Sequence, residues 1–265
     1  MFNHQAQSSR RPSINWCGIL LGIVMLLQQP SFSSATTVIV LANDKQVIIA
    51  ADSKSTDIGK DGSTAHTSCK IYPVKKMVCA FAGLVSIHDE QGSSFDAARL
   101  LRTIAQESKE PRDTVAMYTK TVKETLARNI NIVWEKTPEK IQDYPILFTV
   151  FVMFENGRSV VLFRNFRIPL DRSSDQIEVV SGEEVPPETQ RLRFFMGTKQ
   201  EIIEYVSRHP DSWLKPNIET AINHLIGLEA EIHPDKVGFP VDILHFTANG
   251  GRWLQGGAEC WNLDL

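Results

Sequence analysis

Hydrophobic and polar positions along this chain fall into short blocks whose period changes several times. Thr36–Ala42 (TTVIVLA) and Gln46–Ala51 (QVIIAA) are β-branched apolar runs separated by Asn43-Asp44-Lys45, a turn composition, and predict a hairpin with both faces covered. Lys70–Tyr72 and Met77–Phe81 predict a second hairpin that turns through Pro73 to Lys75 and is followed by Ala82-Gly83. The period then lengthens. Ser94 can cap a helix with Phe95, Ala98, Leu101 and Ala105 at helical spacing, and Asp113 can cap another with Val115, Tyr118, Val122 and Leu126 on one stripe. Strand runs return at Ile146–Phe154, Ser159–Phe163, Ile177–Val180 and Leu192–Met196, the first two joined by Asn156-Gly157. Helices are predicted near Glu201–Ser207 and, behind Asn217, at Ile218–Ala230, before a last strand at Val241–Phe246 and a turn at Asn249-Gly250-Gly251.

Strands, helix pair, strands, helix pair, strands is the order of an α+β fold in which two antiparallel sheets face one another and helices cover both outer surfaces, a four-layer αββα sandwich. Strands that are apolar throughout, in sheets that are not parallel, require that double cover. No repeat or linker divides residues 36–265, so they read as a single domain.

Upstream, Arg10-Arg11 precede a twelve-residue apolar run, Trp16–Leu27, and then small and polar residues. Twelve residues fall short of the roughly 20 that cross a bilayer but suit the core of a signal peptide. Ser33 and Ala35 satisfy the small-x-small rule, so residues 1–35 are expected to be removed, leaving Thr36 first, no stable membrane span, and an exported, periplasmic or secreted protein. A short uncleaved anchor is the other reading of the run. Cys17 would leave with the leader, and Cys69, Cys79 and Cys260 cannot all pair among themselves. Cys69 and Cys79 would face one another across the second hairpin only if its register fell one way, so that bridge stays open.

Composition narrows the classes. The 265 residues are 42% hydrophobic and 22% charged, with 28 basic against 31 acidic side chains, which is globular rather than disordered and has no basic footprint for nucleic acid. Metal-protease, nucleophile-elbow, phosphate-loop and dinucleotide motifs are absent, and the histidines show no metal-ligand spacing, so neither a metal nor a cofactor is expected.

A threonine at a chain terminus carries its own base. Its hydroxyl can attack a carbonyl while its α-amine, with an ordinary pKa near 8, accepts the proton. With a three-residue loop at Asn43–Lys45, Thr36 would face Asp52 across the first hairpin; a two-residue loop would shift the pairing by one, and both remain open.

Thr36-Thr37, the Ala50-Ala51-Asp52-Ser53 stretch sixteen residues on, Lys70 and Phe81-Ala82-Gly83 together resemble the β-type subunits of the proteasome, including the bacterial two-ring relative, which are N-terminal-nucleophile hydrolases. The resemblance spans most of residues 36–265, is strongest over 36–84, and places a longer loop at Asp57–Ser63. It implies Thr36 as nucleophile and base, Lys70 as the cation that lowers the amine's pKa, Asp52 as the partner of Lys70, and the Gly83 amide as oxyanion donor. Thr198 would stand for a supporting serine and Asp235, displaced by one position, for an auxiliary aspartate, while Val237 occupies the place of a second supporting serine. It further implies a peptide or unfolded-protein substrate and assembly into homo-oligomeric rings. Each residue also has a plain structural reading: paired threonines suit any strand, and Asp-Ser suits any turn. The alternative function is therefore a catalytically silent exported subunit of the same fold, acting as an interaction or structural protein.

Overall fold

In this computed structural model, the residues described are 36–59, 62–89, 92–129, 145–168, 176–186, 188, 192–210, 212–214 and 216–257. All lie in the unit Ser33–Leu265; residues 1–35, expected to be a signal peptide, and Cys260 fall outside them.

β1 (Thr37–Ala42) and β2 (Gln46–Asp52) form the first hairpin, and two short pairs follow its partner: β3 (Lys54–Gly59) with β4 (Gly62–Thr67), then β5 (Ile71–Val74) with β6 (Met77–Gly83). β7 (Ser86–Asp89) pairs with β8 (Gly92–Asp96) and leads into α1 (Ala97–Glu107) and α2 (Pro111–Arg128). The second half runs β9 (Pro145–Glu155), β10 (Arg158–Arg167), β11 (Glu178–Glu184), β12 (Leu192–Gly197), α3 (Gln200–Arg208), α4 (Ile218–Ile232), β13 (Val241–Thr247) and β14 (Gly250–Gln255). One five-stranded sheet has the order β12-β1-β2-β13-β14 and the other β11-β10-β9-β6-β5, both antiparallel.

Three apolar layers hold these elements together. Between the sheets, Val38, Val40, Val47 and Ile49 meet Ile71, Val78, Val150 and Val152. On the outer face of the second sheet, Phe81, Phe151 and Leu162 pack against Leu101, Tyr118 and Val122 of α1 and α2. On the outer face of the first, Ile39, Ala50 and Ile243 pack against Ile202, Ile222, Leu225 and Ile226 of α3 and α4. Alternate residues of β1 therefore point into different layers, which explains why its sequence is apolar at every position. The expected αββα sandwich is the observed one.

Several local expectations differ. Asp96, not Ser94, caps α1, its side chain accepting from the Arg99 amide at 2.9 Å, because Phe95 still belongs to β8. α2 opens at Pro111, so Asp113 sits in its first turn rather than at its cap. The loop expected at Asp57–Ser63 is the β3–β4 hairpin. Asn217 caps α4 as expected, accepting from the Thr220 amide at 2.8 Å.

The end of β2 is pinned to β13 by a buried polar cluster. Ser53 Oγ donates to Asp242 Oδ2 at 2.7 Å, and the Gly257 amide donates to Asp242 Oδ1 at 2.8 Å. Asp242→Ala would strand both donors, so it is expected to cost about 2–4 kcal/mol, measured by urea unfolding, whereas Asp242→Asn should cost less than half as much.

Candidate active site

Asp52 closes β2, between Val241 of β13 on one side and the start of β1 on the other. Its side chain is fully buried and its Oδ1 accepts from the Thr37 amide at 2.6 Å. Burial pushes its carboxyl up to about 6; Lys70 and the backbone amides of Thr37, Gly238 and Lys54 pull the other way without overcoming that loss of hydration.

Lys70 immediately precedes β5 and is 2% exposed. Its ammonium Nζ donates to Thr36 Oγ1 at 2.5 Å and to the Lys54 carbonyl at 2.8 Å. Burial lowers its pKa, and the charge of Asp52 raises it in part. An ammonium so placed would stabilise negative charge on the Thr36 oxygen were its proton to leave, and low hydration would strengthen the effect.

Thr36 immediately precedes β1 and is 1% exposed. Its carbonyl accepts from the Thr198 amide at 3.0 Å, while Thr37 Oγ1 donates to the Thr198 carbonyl at 2.6 Å. The approach is close because Gly197 has no side chain: with φ +75, a Cβ there would lie 1.8 Å from the Thr36 carbonyl oxygen and 3.4 Å from the Ala82 Cβ. The ends of β12 and β6 thus meet at the start of β1. Gly83, next to Ala82, holds φ +100, where a Cβ would come within 2.4 Å of the Ile146 carbonyl oxygen. A position so crowded and so twisted admits glycine alone.

The structure brings Thr36, Lys70, Asp52 and the end of β6 together, by a register other than the three-residue-loop one. Val38 faces Ala51 and Ala42 faces Val47, which puts Thr37, not Thr36, opposite Asp52. The two-residue loop wins because Asn43 closes it: its amide donates to the Gln46 carbonyl, and its Oδ1 accepts from the Lys45 and Gln46 amides, each at 3.0 Å. The Thr36 hydroxyl accepts from Lys70, and the Asp52 carboxylate takes the Thr37 amide.

Thr198 takes part through its backbone in the bonds described above, and the helix behind it is anchored by Glu229, a buried α4 side chain that accepts from the Ile202 amide at 3.0 Å. Burial pushes the Glu229 carboxyl up. Asp235 is exposed on the turn after α4, where its neighbour Pro234 accepts from Lys54 Nζ. Val237 is buried among the side chains of α3 and α4. Sequence reasoning passed over Lys54 and named Thr37 and Gly197 only as neighbours of Thr36 and Thr198; the left-handed backbone of Gly197 and its close approach to Thr36 come from the structure.

Cys79 is a free, buried thiol whose pKa burial raises. Cys69 is disulfide-bonded to a partner outside the described residues, so the Cys69–Cys79 bridge does not form. The β5–β6 turn is Lys75-Lys76, two residues rather than three, and sets Tyr72 opposite Cys79. Among the described residues, no cluster of three His, Cys, Asp or Glu could hold a metal ion, and no helix is long and apolar enough to cross a membrane.

No protein-family model matches the chain, and no curated protein matches it. Among solved structures it is similar to the Gly-1 mutant of Anbu from Hyphomicrobium sp. strain MC1, at 11% identity and a TM-score of 0.44, over 86% of this chain and 91% of that one.

Proposed function

We propose that this protein is an exported threonine-type peptidase or amidohydrolase of the proteasome β-subunit kind, with Thr36 as nucleophile and base once residues 1–35 are removed. The observation that carries the reading is the buried Lys70 ammonium 2.5 Å from Thr36 Oγ1, with Asp52 at its back. A lysine this deep is expensive to keep charged, and no packing need explains its donation to a threonine hydroxyl.

In the reaction, Thr36 Oγ1 attacks the carbonyl carbon of a peptide bond and its proton passes to the α-amine. The carbon–nitrogen bond breaks as the amine returns that proton to the leaving nitrogen, which leaves an acyl ester on Thr36. Water, deprotonated by the same amine, then adds to the ester carbon; the bond to Thr36 Oγ1 breaks, the amine returns the proton to that oxygen, and the acid is freed. Lys70 lowers the amine's pKa and steadies the alkoxide, Asp52 keeps Lys70 charged, and the Gly83 amide supports the oxyanion. Assembly into homo-oligomeric rings would enclose such sites and restrict substrates to unfolded or small peptides. The buried apolar Val237 favours a second reading, a silent subunit, since it adds no hydroxyl near the amine.

The intact mass of the natural protein is expected to begin at Thr36, and a β-lactone or epoxyketone probe should add one label per chain, with Thr36→Ala unlabelled. A chain that starts elsewhere ends the enzyme reading, and a Thr36 start without labelling supports the silent subunit.

A further inference from the structure

The β5–β6 hairpin carries Lys70 at one end and, at the other, a cavity of about 190 Å³ beneath the turn, between that hairpin and the join of α1 to α2. We propose that this cavity binds a small amphipathic anion, a carboxylate with a short aliphatic or single-ring body, at a site separate from Thr36.

The floor and walls are apolar: Val74 and Met77 from the hairpin, Ala105 from α1 and Pro111 from α2. Val74, Met77 and Ala105 are almost fully buried and extend the outer apolar layer to this edge. The rim is cationic. Lys75, Lys76 and Lys109 stand around it, and no acidic side chain lines it among the described residues. An apolar cup ringed by three ammonium groups matches a ligand whose body loses water on entry and whose charge stays at the mouth.

The turn itself argues for a selected arrangement. Two-residue hairpin loops favour Asn and Gly because they need positive φ, and this chain uses that solution at Asn156-Gly157. Between β5 and β6 the same kind of loop is Lys75-Lys76, with Lys75 held at φ +51. A lysine there is strained where a glycine would not be, and such departures from local preference concentrate where a site needs a particular side chain. Lys75 Nζ also donates to the Ser108 carbonyl at 2.7 Å, which folds its stem across the gap between the hairpin and the α1–α2 join and fixes one side of the mouth. Lys76 and Lys109 are exposed and available to meet the ligand's charge.

The test is titration of the purified chain with hexanoate, followed by isothermal calorimetry and saturation-transfer NMR. Saturable binding is expected with a Kd of about 1 mM or tighter. The neutral analogue hexanol should bind at least about tenfold more weakly. Lys76→Glu with Lys109→Glu, two exposed positions whose exchange should leave the unfolding midpoint in place, should weaken hexanoate by a similar factor. Ala105→Leu, which fills the cavity from a helix that tolerates leucine, should abolish binding. The proposal is overturned if hexanoate does not saturate, if hexanol binds equally well, or if binding persists unchanged in Ala105→Leu.

Discussion

Lys70→Met is expected to reduce kcat/KM for peptide hydrolysis by about 10³-fold while the protein remains folded. The loss has two parts. In the proposed reaction the Thr36 oxygen loses the ammonium 2.5 Å away, so charge growing there would no longer be offset, and a terminal amine on Thr36 would lose the neighbouring cation that lowers its pKa. Stability should respond in the opposite sense at acidic pH, because an apolar side chain of similar length needs no hydration. The pH dependence carries the sign. The Asp52 carboxyl already titrates near 6 in the fold against an ordinary 3.8, so the folded state prefers it protonated. A raised acid contributes stability that is complete below its unfolded pKa and is lost as pH rises through the folded one. Removing Lys70 removes the main opposing charge, so the folded pKa rises further and the loss extends above pH 6. Thermal unfolding should therefore show a variant at least as stable as the parent near pH 5 and falling behind it towards pH 8. A variant as active as the parent would remove Lys70 from the chemistry.

Gly197→Ala is expected to be the most damaging of the small substitutions. Its methyl would lie 1.8 Å from the Thr36 carbonyl oxygen in a left-handed backbone, and neither β1 nor β12 can withdraw, because each is bonded to the other along its length. A penalty of about 3 kcal/mol or more is expected, and a Tm lower by roughly 6–12 °C. Where the chain still folds, Thr36 must move away from the Thr198 amide and from Lys70, so probe labelling should fall even among molecules that remain native. By contrast, Gly157→Ala meets nothing within 4 Å and should lose only the φ +74 preference, about 1–2 kcal/mol, with labelling intact.

The layers of the fold were legible because apolar runs such as Val38–Leu41 and Val150–Val152 state a period and a burial directly. Polar strands were not. Lys54–Gly59 and Gly62–Thr67 have no apolar stripe, and only their pairing with each other makes them strands. Thr36, Asp52 and Lys70 were picked out by a resemblance in their spacing along the chain, but which threonine meets Asp52 depended on hydrogen bonds inside a turn that local composition allows in two ways. Asn43 decides it by folding its own side chain over the loop. The constraint on Gly197 was hidden for a different reason: it arises from a contact with the Thr36 carbonyl, far away along the chain, and such a separation leaves no local trace.

The first strand of this chain is an inner one, flanked by β2 and β12. New chain ends ordinarily fray, and ordering a frayed residue at the moment of attack would add an entropic barrier. Here the cut would expose an end that both neighbours already hold, so leader removal would hand over a nucleophile whose freedom was surrendered during folding rather than on each turnover.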